Sequence, residues 1–228
     1  PLKPLGHKRT KPYPALVQLL TDTDYPRALK GVRAEAALRL LSGREELAVG
    51  RGELQFTEKG ISGPAAFDIS RLAAICGEGA LIEIDFMPVH TQSQVENLLE
   101  RRCRGFTQLT AAELFTGMVH NRLGKMLVKY ASIEQNKPLS RLSEDEIAQA
   151  ARACKHFSLK LRGTEGFDNA QVTAGGIKTT GFNPRTLESW FVPGLFACGE
   201  LLDVDGDCGG YNLQWAWASG RLAGRLGK

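Results

Sequence analysis

A chain of 228 residues with 43% apolar side chains is long enough to bury a core, which excludes global disorder. Its formal net charge of +4 permits an anionic ligand or RNA without arguing for either, and Lys8-Arg9 and Arg101-Arg102 read as solvated surface. Five scattered cysteines without a C-x-x-C exclude a disulfide framework, and neither they nor the four histidines show metal-ligand spacing.

No apolar run nears the ~20 residues of a membrane helix, and no signal-peptide pattern opens the chain. Reduced thiols, a cytoplasmic protein and no metal are therefore expected. The opening PLKPLGHKRTKPYP has four prolines and no initiator Met, and reads as a mid-protein linker over 1–14.

ALVQLL (15–20) suits a buried strand, and TDTDYP a turn. In LKGVRAEAALRLL (29–41), Val32, Ala34, Ala36 and Leu38 share one face while Arg33, Glu35 and Arg39 take the other, the alternation of a half-buried antiparallel strand. Ser42-Gly43-Arg44 turns the chain and EELAVGRGELQFT returns it. At 57–77 the period changes: Pro64 suits a first helical position, Ser62 a cap, and Ala65, Ile69, Leu72 and Ala73 make an apolar stripe. ALIEIDFMP alternates again and reads as a strand.

Residues 91–155 read as a three-helix bundle inserted into this sheet. Three capping boxes open its segments: Thr91 with Gln94, Thr110 with Glu113, and Ser143 with Glu146. In the middle segment Leu114, Met118, Leu123, Met126 and Leu127 follow helical spacing. FSLKLRG (157–163) resumes the sheet.

The last stretch is rich in glycine. QVTAGGI reads as a strand running into a Gly-Gly turn, GLFACGE as a strand running into Gly199-Glu200, and NLQWAWASGRLAGRL as a helix with Asn212 as its N-cap. Gly209-Gly210-Tyr211-Asn212 before a helix has two readings: a glycine-rich cap on a core helix, or a ligand corner. For the second, the helix start exposes unpaired N–H groups and a positive dipole end. Ala216, Gly220, Ala223 and Gly224 form a small-residue stripe for tight packing, and Trp215, Trp217 and Tyr211 read as packed side chains.

The segment 170–220, together with GELQFTEKGISGP (52–64), LGHKRTKPYPALVQL (5–19) and FSLKLRGTEGFDNAQVT, resembles the BaiN/YhiN-like flavoproteins, a bacterial family of NAD(P)/FAD-dependent oxidoreductases. The resemblance implies an α+β architecture: a small antiparallel β-barrel or sheet domain with an inserted three-helix bundle, plus the C-terminal αβ portion of a Rossmann-like FAD-binding domain. It places the linker at 1–14, the barrel at 15–89 and 156–171, the bundle at 90–155 and the end of the FAD domain at 172–228.

A G-x-G-x-x-G loop with an acid ~20 residues later does not occur, so the chain is expected to be a fragment without the N-terminal Rossmann segment, inactive by itself. The resemblance also implies FAD contacts at Gly199, Glu200, Gly209, Gly210, Tyr211, Asn212 and Leu213, with Thr173, Gly175 and Gly176 at a second turn. NAD(P)H is the implied electron donor, with a small molecule carrying an activated double bond as acceptor, of the dehydro-bile-acid type. The alternatives are a flavin-dependent enzyme acting on a uridine of ribosomal RNA, or an RNA- or protein-binding module with Arg101, Arg102, Arg104, Lys125 and Lys129 on a basic face. No acid, base or nucleophile stands out as catalytic. Glu58 occupies a position where the family often has His.

Overall fold

A computed structural model of the chain describes residues 2–226, which divide into two units: residues 2–17 with 164–226, and residues 18–163. The first short strand, β1 (Tyr13–Ala15), belongs to the former. The expected single strand over 15–20 is broken, because Leu16 takes a left-handed backbone (φ 49°) and the chain passes at Val17 from one unit to the other.

The unit of residues 18–163 is a closed barrel carrying helices. After β2 (Leu19–Thr21), the TDTDYP segment forms a short helix, α1 (Asp24–Ala28), rather than a plain turn. Then come β3 (Arg33–Ser42), β4 (Glu45–Phe56), β5 (Gly60–Ser62), α2 (Pro64–Cys76) and β6 (Leu81–Asp85). The bundle follows: α3 (Gln92–Gly105), α4 (Asn121–Tyr130) and α5 (Glu144–Lys155), and β7 (Phe157–Thr164) returns to the sheet. Strands close in the order β2-β5-β4-β3-β6-β7, so the helical insertion lies between two strands that pair with each other, β6 and β7.

The period-two pattern explains the closure. Val32, Ala36, Leu38 and Leu40 are buried, while Arg33, Glu35 and Arg39 stay exposed. Gly50 of β4 lets α2 approach: a Cβ there would lie 2.0 Å from the Ala65 carbonyl oxygen. Pro64 is at the start of α2 as expected, but Gly63, not Ser62, is its N-cap, and no side chain caps it. The aromatic centre of the core is Phe157, whose ring lies 4.6 Å from Tyr130, 5.4 Å from Tyr25 and 5.7 Å from Phe86.

All three capping boxes form. The middle one opens only a 3-10 turn, Ala111–Glu113, and the chain turns again at Gly117 (φ 83°) before α4 begins. Helical spacing from Leu114 to Leu127 therefore spans a break: its residues reach one core from two separate elements. Lys155, at the end of α5, inserts its ammonium between the Asp85 carboxylate (2.6 Å) and the carbonyls of Met87 (3.0 Å) and His90, joining helix to barrel. Burial pushes the Cys154 thiol beside it up to about 12, which makes it an inert core side chain.

The other unit is built from both flanking stretches. β8 (Val172–Ala174) pairs antiparallel with β1, and α6 (Tyr211–Ala223) closes the chain. GLFACGE forms no strand; it makes only an isolated Glu188–Phe196 bridge and a 3-10 turn at Gly199–Leu201. The core of this unit is small: Leu2, Ile177, Phe182, Leu187, Ala197, Leu202 and Ala223.

Candidate functional site

The sequence-predicted residues of the last stretch fall at two turns that meet α6. At the first, Gly199 has a left-handed backbone (φ 63°), which disfavours any other residue there. The turn it opens presents Glu200 to solvent, with no hydrogen-bond or ion-pair partner among the described residues. At the second, Gly209 (φ 128°) and Gly210 (φ 91°) swing the chain into the helix. A Cβ at Gly210 would meet nothing within 4 Å, so the space beside it is open.

The N-cap of α6 is Gly210 and not Asn212, and no side chain caps this end. The first backbone amide to find an acceptor is that of Gln214, on the Gly210 carbonyl (3.0 Å). The N–H groups of the first turn are thus available to an acceptor on a ligand. Asn212 does something else: its Oδ1 accepts from the Gly206 N–H (3.0 Å) and its Nδ2 donates to the Gly206 carbonyl (2.8 Å).

Tyr211 and Leu213 flank this open end and are exposed. Tyr211 at 64% exposure and Trp217 at 68% are not packed, contrary to their reading from sequence. The small-residue stripe differs as well: Ala223 is buried and Ala216 half-buried, but Gly224 faces solvent.

Thr173, Gly175 and Gly176 have another environment. Thr173 lies opposite Pro14 in the β1–β8 pair. A Cβ at Gly175 would lie 2.4 Å from the Lys11 carbonyl oxygen, and one at Gly176 would lie 2.8 Å from that of Leu201. Protein backbone fills the space at both glycines. They bring the strand against Leu201–Asp203 and so seat the Glu200 turn, where Ile177 bridges Leu202. Glu58, in the other unit, is an exposed carboxylate whose pKa is lowered by its hydrogen bond to Lys30 (2.9 Å).

Sequence reasoning passed over three polar contacts in this unit. Trp215 Nε1 donates to the Gly199 carbonyl (3.1 Å), and Ser219 Oγ accepts from the Gly199 N–H (2.9 Å). The third involves His7, whose Nε2 lies 2.9 Å from Ser189 Oγ. That hydroxyl also accepts from the amides of Phe191 (3.0 Å) and Val192 (3.1 Å). Both His7 and Ser189 are buried, so the pair pins a loop rather than meeting a substrate. Helical spacing of Trp215, Ser219 and Leu222 was the available signal for the first two.

Among the described residues, no group of three or more His, Cys, Asp or Glu side chains is arranged to hold a metal ion, and no helix is long and apolar enough to cross a membrane. The chain matches the model of the HI0933-like protein barrel and H2TH domain over residues 13–172, and that of the HI0933-like protein Rossmann domain over residues 142–226. It is similar to a 3-dehydro-bile acid delta(4,6)-reductase of Clostridium scindens, 43% identical over 224 residues, which are 97% of this chain and 55% of that protein. It is also similar to ribosomal RNA dihydrouridine synthases of Haemophilus influenzae (32% over 195 residues) and Escherichia coli (31% over 188), covering 84% and 82% of this chain and 45% of each relative. The chain thus spans about half the length of the curated relatives it matches. With barrel, inserted helices and Rossmann portion in this order, the chain belongs to the HI0933-like family, the BaiN/YhiN-like group that its sequence resembles.

Proposed function

We propose that this chain is part of an FAD-dependent oxidoreductase that moves hydride from NAD(P)H to a small organic acceptor with an activated carbon–carbon double bond. The observation that carries this reading is the uncapped start of α6, open at Gly210 and set beside the unpartnered Glu200 turn. When bound, FAD supplies the two-electron relay between the nicotinamide and the acceptor.

The fit to a flavin rests on chemistry available at the two turns. The side-chain-free Gly209 and Gly210 admit a flat ring to backbone distance. The first-turn amides and the helix dipole stabilise negative charge on the pyrimidine edge of a reduced flavin. Glu200 accepts hydrogen bonds from hydroxyls of a ribityl chain or ribose. Tyr211 and Leu213 form the exposed walls. Gly199 holds the Glu200 turn in place, while Thr173, Gly175 and Gly176 support it from the neighbouring strand.

A Rossmann domain needs a parallel sheet. Within residues 2–17 and 164–226 the sheet described is the two-stranded antiparallel β1–β8 pair. The dinucleotide-binding strands therefore come, in this reading, from a segment outside these 228 residues, and that segment covers the bare face of Leu213 and Trp217.

The reductase relative, at 43% identity, favours a small-molecule acceptor over RNA. The second reading, an enzyme acting on ribosomal RNA, draws on the two dihydrouridine synthases. It calls for a basic face on the bundle. There, Arg102 is half-buried and engaged by the Glu113 carbonyl (3.2 Å) and the Phe106 ring, while Arg101, Arg104, Lys125 and Lys129 are exposed, Arg104 beside Glu100 (3.4 Å).

The full-length protein settles the matter. It is expected to be yellow and to oxidise NADH or NADPH in the presence of an enone acceptor. A colourless full-length protein overturns the flavin reading. Turnover only with uridine-containing RNA, with salt-dependent RNA binding, replaces the first reading by the second.

A further inference from the structure

The two glycine turns at the candidate site are not simply adjacent to α6; side chains of that helix hold them. Asn212 takes both backbone groups of Gly206, just before the Gly209-Gly210 turn. Three and seven residues further on, one stripe of the helix takes both backbone groups of Gly199: Trp215 Nε1 donates to its carbonyl (3.1 Å) and Ser219 Oγ accepts from its N–H (2.9 Å). Ser219 in turn donates to the Trp215 carbonyl at 2.6 Å, closing a ring of three hydrogen bonds. Its hydroxyl both donates and accepts, at 1% exposure.

Apolar packing does little of this seating. In α6 the buried residues are Ser219 and Ala223, with Trp215 and Leu222 half-buried against the small core. A buried serine in a helix needs only its own i−4 carbonyl. Accepting from the Gly199 amide is an additional contact, made to a glycine whose left-handed backbone is one of many conformations open to it, so the bond helps select that turn.

We propose that Trp215 and Ser219 are positioning residues for the flavin site: they fix the distance between the Glu200 turn and the open start of α6. The helix acts as a ruler that sets both halves of the site before any ligand enters. Glu200 and the first-turn amides then meet one ligand without rearrangement, which is where preorganisation adds affinity. This inference rests on the flavin reading above.

The test uses the full-length protein with Ser219→Ala and Trp215→Phe, and Leu222→Ala as a control that loosens the same helix edge but spares the clamp. In flavin-stripped protein, the Gly199 amide is expected to exchange hydrogen faster in Ser219→Ala than in wild type, while the Gly206 amide keeps its wild-type protection. FAD titration is expected to give about tenfold weaker binding in each clamp variant, equivalent to ~1.4 kcal/mol, with a shifted visible flavin spectrum. Leu222→Ala is expected to lower the melting temperature but keep the wild-type spectrum. Should Ser219→Ala fail to fold, Trp215→Phe, which keeps an aromatic side chain but loses the five-membered ring with its N–H, gives the same affinity and spectral readout. Wild-type FAD affinity and spectrum in a folded clamp variant overturn the proposal, as does an equal spectral shift in Leu222→Ala. A wild type that binds no FAD is a separate outcome: it overturns the flavin reading and takes this proposal with it.

Discussion

At the scale of single residues, the charge network on the barrel wall decides how the protein answers acid. Glu83 of β6 is half-buried, and burial alone would raise its pKa. Hydrogen bonds from Arg39 and from His156 (3.1 Å) outweigh that and hold the carboxyl below its ordinary range. A carboxylate with a lowered folded pKa stabilises the fold above its unfolded pKa, and that contribution disappears as pH falls through the folded value. Urea midpoints are therefore expected to fall as pH drops below the ordinary Glu value of 4.5, and Glu83→Gln should be less stable at neutral pH with a shallower acid slope. An unchanged slope in the variant would remove Glu83 from the account. None of this was visible in the sequence, because Arg39, Glu83 and His156 lie on three elements that only strand pairing and the end of α5 bring together.

Among elements, local signals were legible wherever one residue type does a job its neighbours cannot. The three S/T-x-x-E/Q boxes form with both hydrogen bonds, and the alternation at Val32–Leu40 separates core from solvent as expected. Reading failed where a periodic pattern ran across a break, as from Leu114 to Leu127. There the apolar residues share a core but not a helix. Gly50 was equally silent in the sequence, although the packing of α2 on β4 depends on it. Its backbone is extended, so the constraint is space: a methyl group would collide with the Ala65 carbonyl at 2.0 Å. Gly50→Ala is expected to cost about 3 kcal/mol, the upper end of overpacking penalties, read as a lowered urea midpoint with an unchanged denaturant slope. A near-neutral effect would mean that α2 slides on the sheet without penalty.

For the molecule as a whole, the organising fact is that one unit interrupts the other. Residues 18–163 have their own core, and their strands close on themselves, so the barrel leaves no unpaired edge. This stretch, expressed alone, is expected to fold cooperatively, with a single thermal transition by near-ultraviolet circular dichroism, and to bind no FAD. Loss of near-ultraviolet signal with retained helix content would show that the barrel needs its flanks. The small core of the other unit predicts the converse: its stability depends on further chain or ligand at the bare face of α6.

The sequence by itself determined the longer barrel strands β3, β4, β6 and β7, the helical insertion, its three capping boxes and the glycine turns ahead of the last helix, because each follows from local periodicity or from backbone angles that only certain residues adopt. Tertiary structure alone decided that the barrel closes, that Asn212 holds Gly206 instead of capping α6, and that Trp215 and Ser219 grip Gly199. Those outcomes depend on hydrogen bonds and strand pairs between residues six or more apart, and no local pattern encodes which donor will find which acceptor.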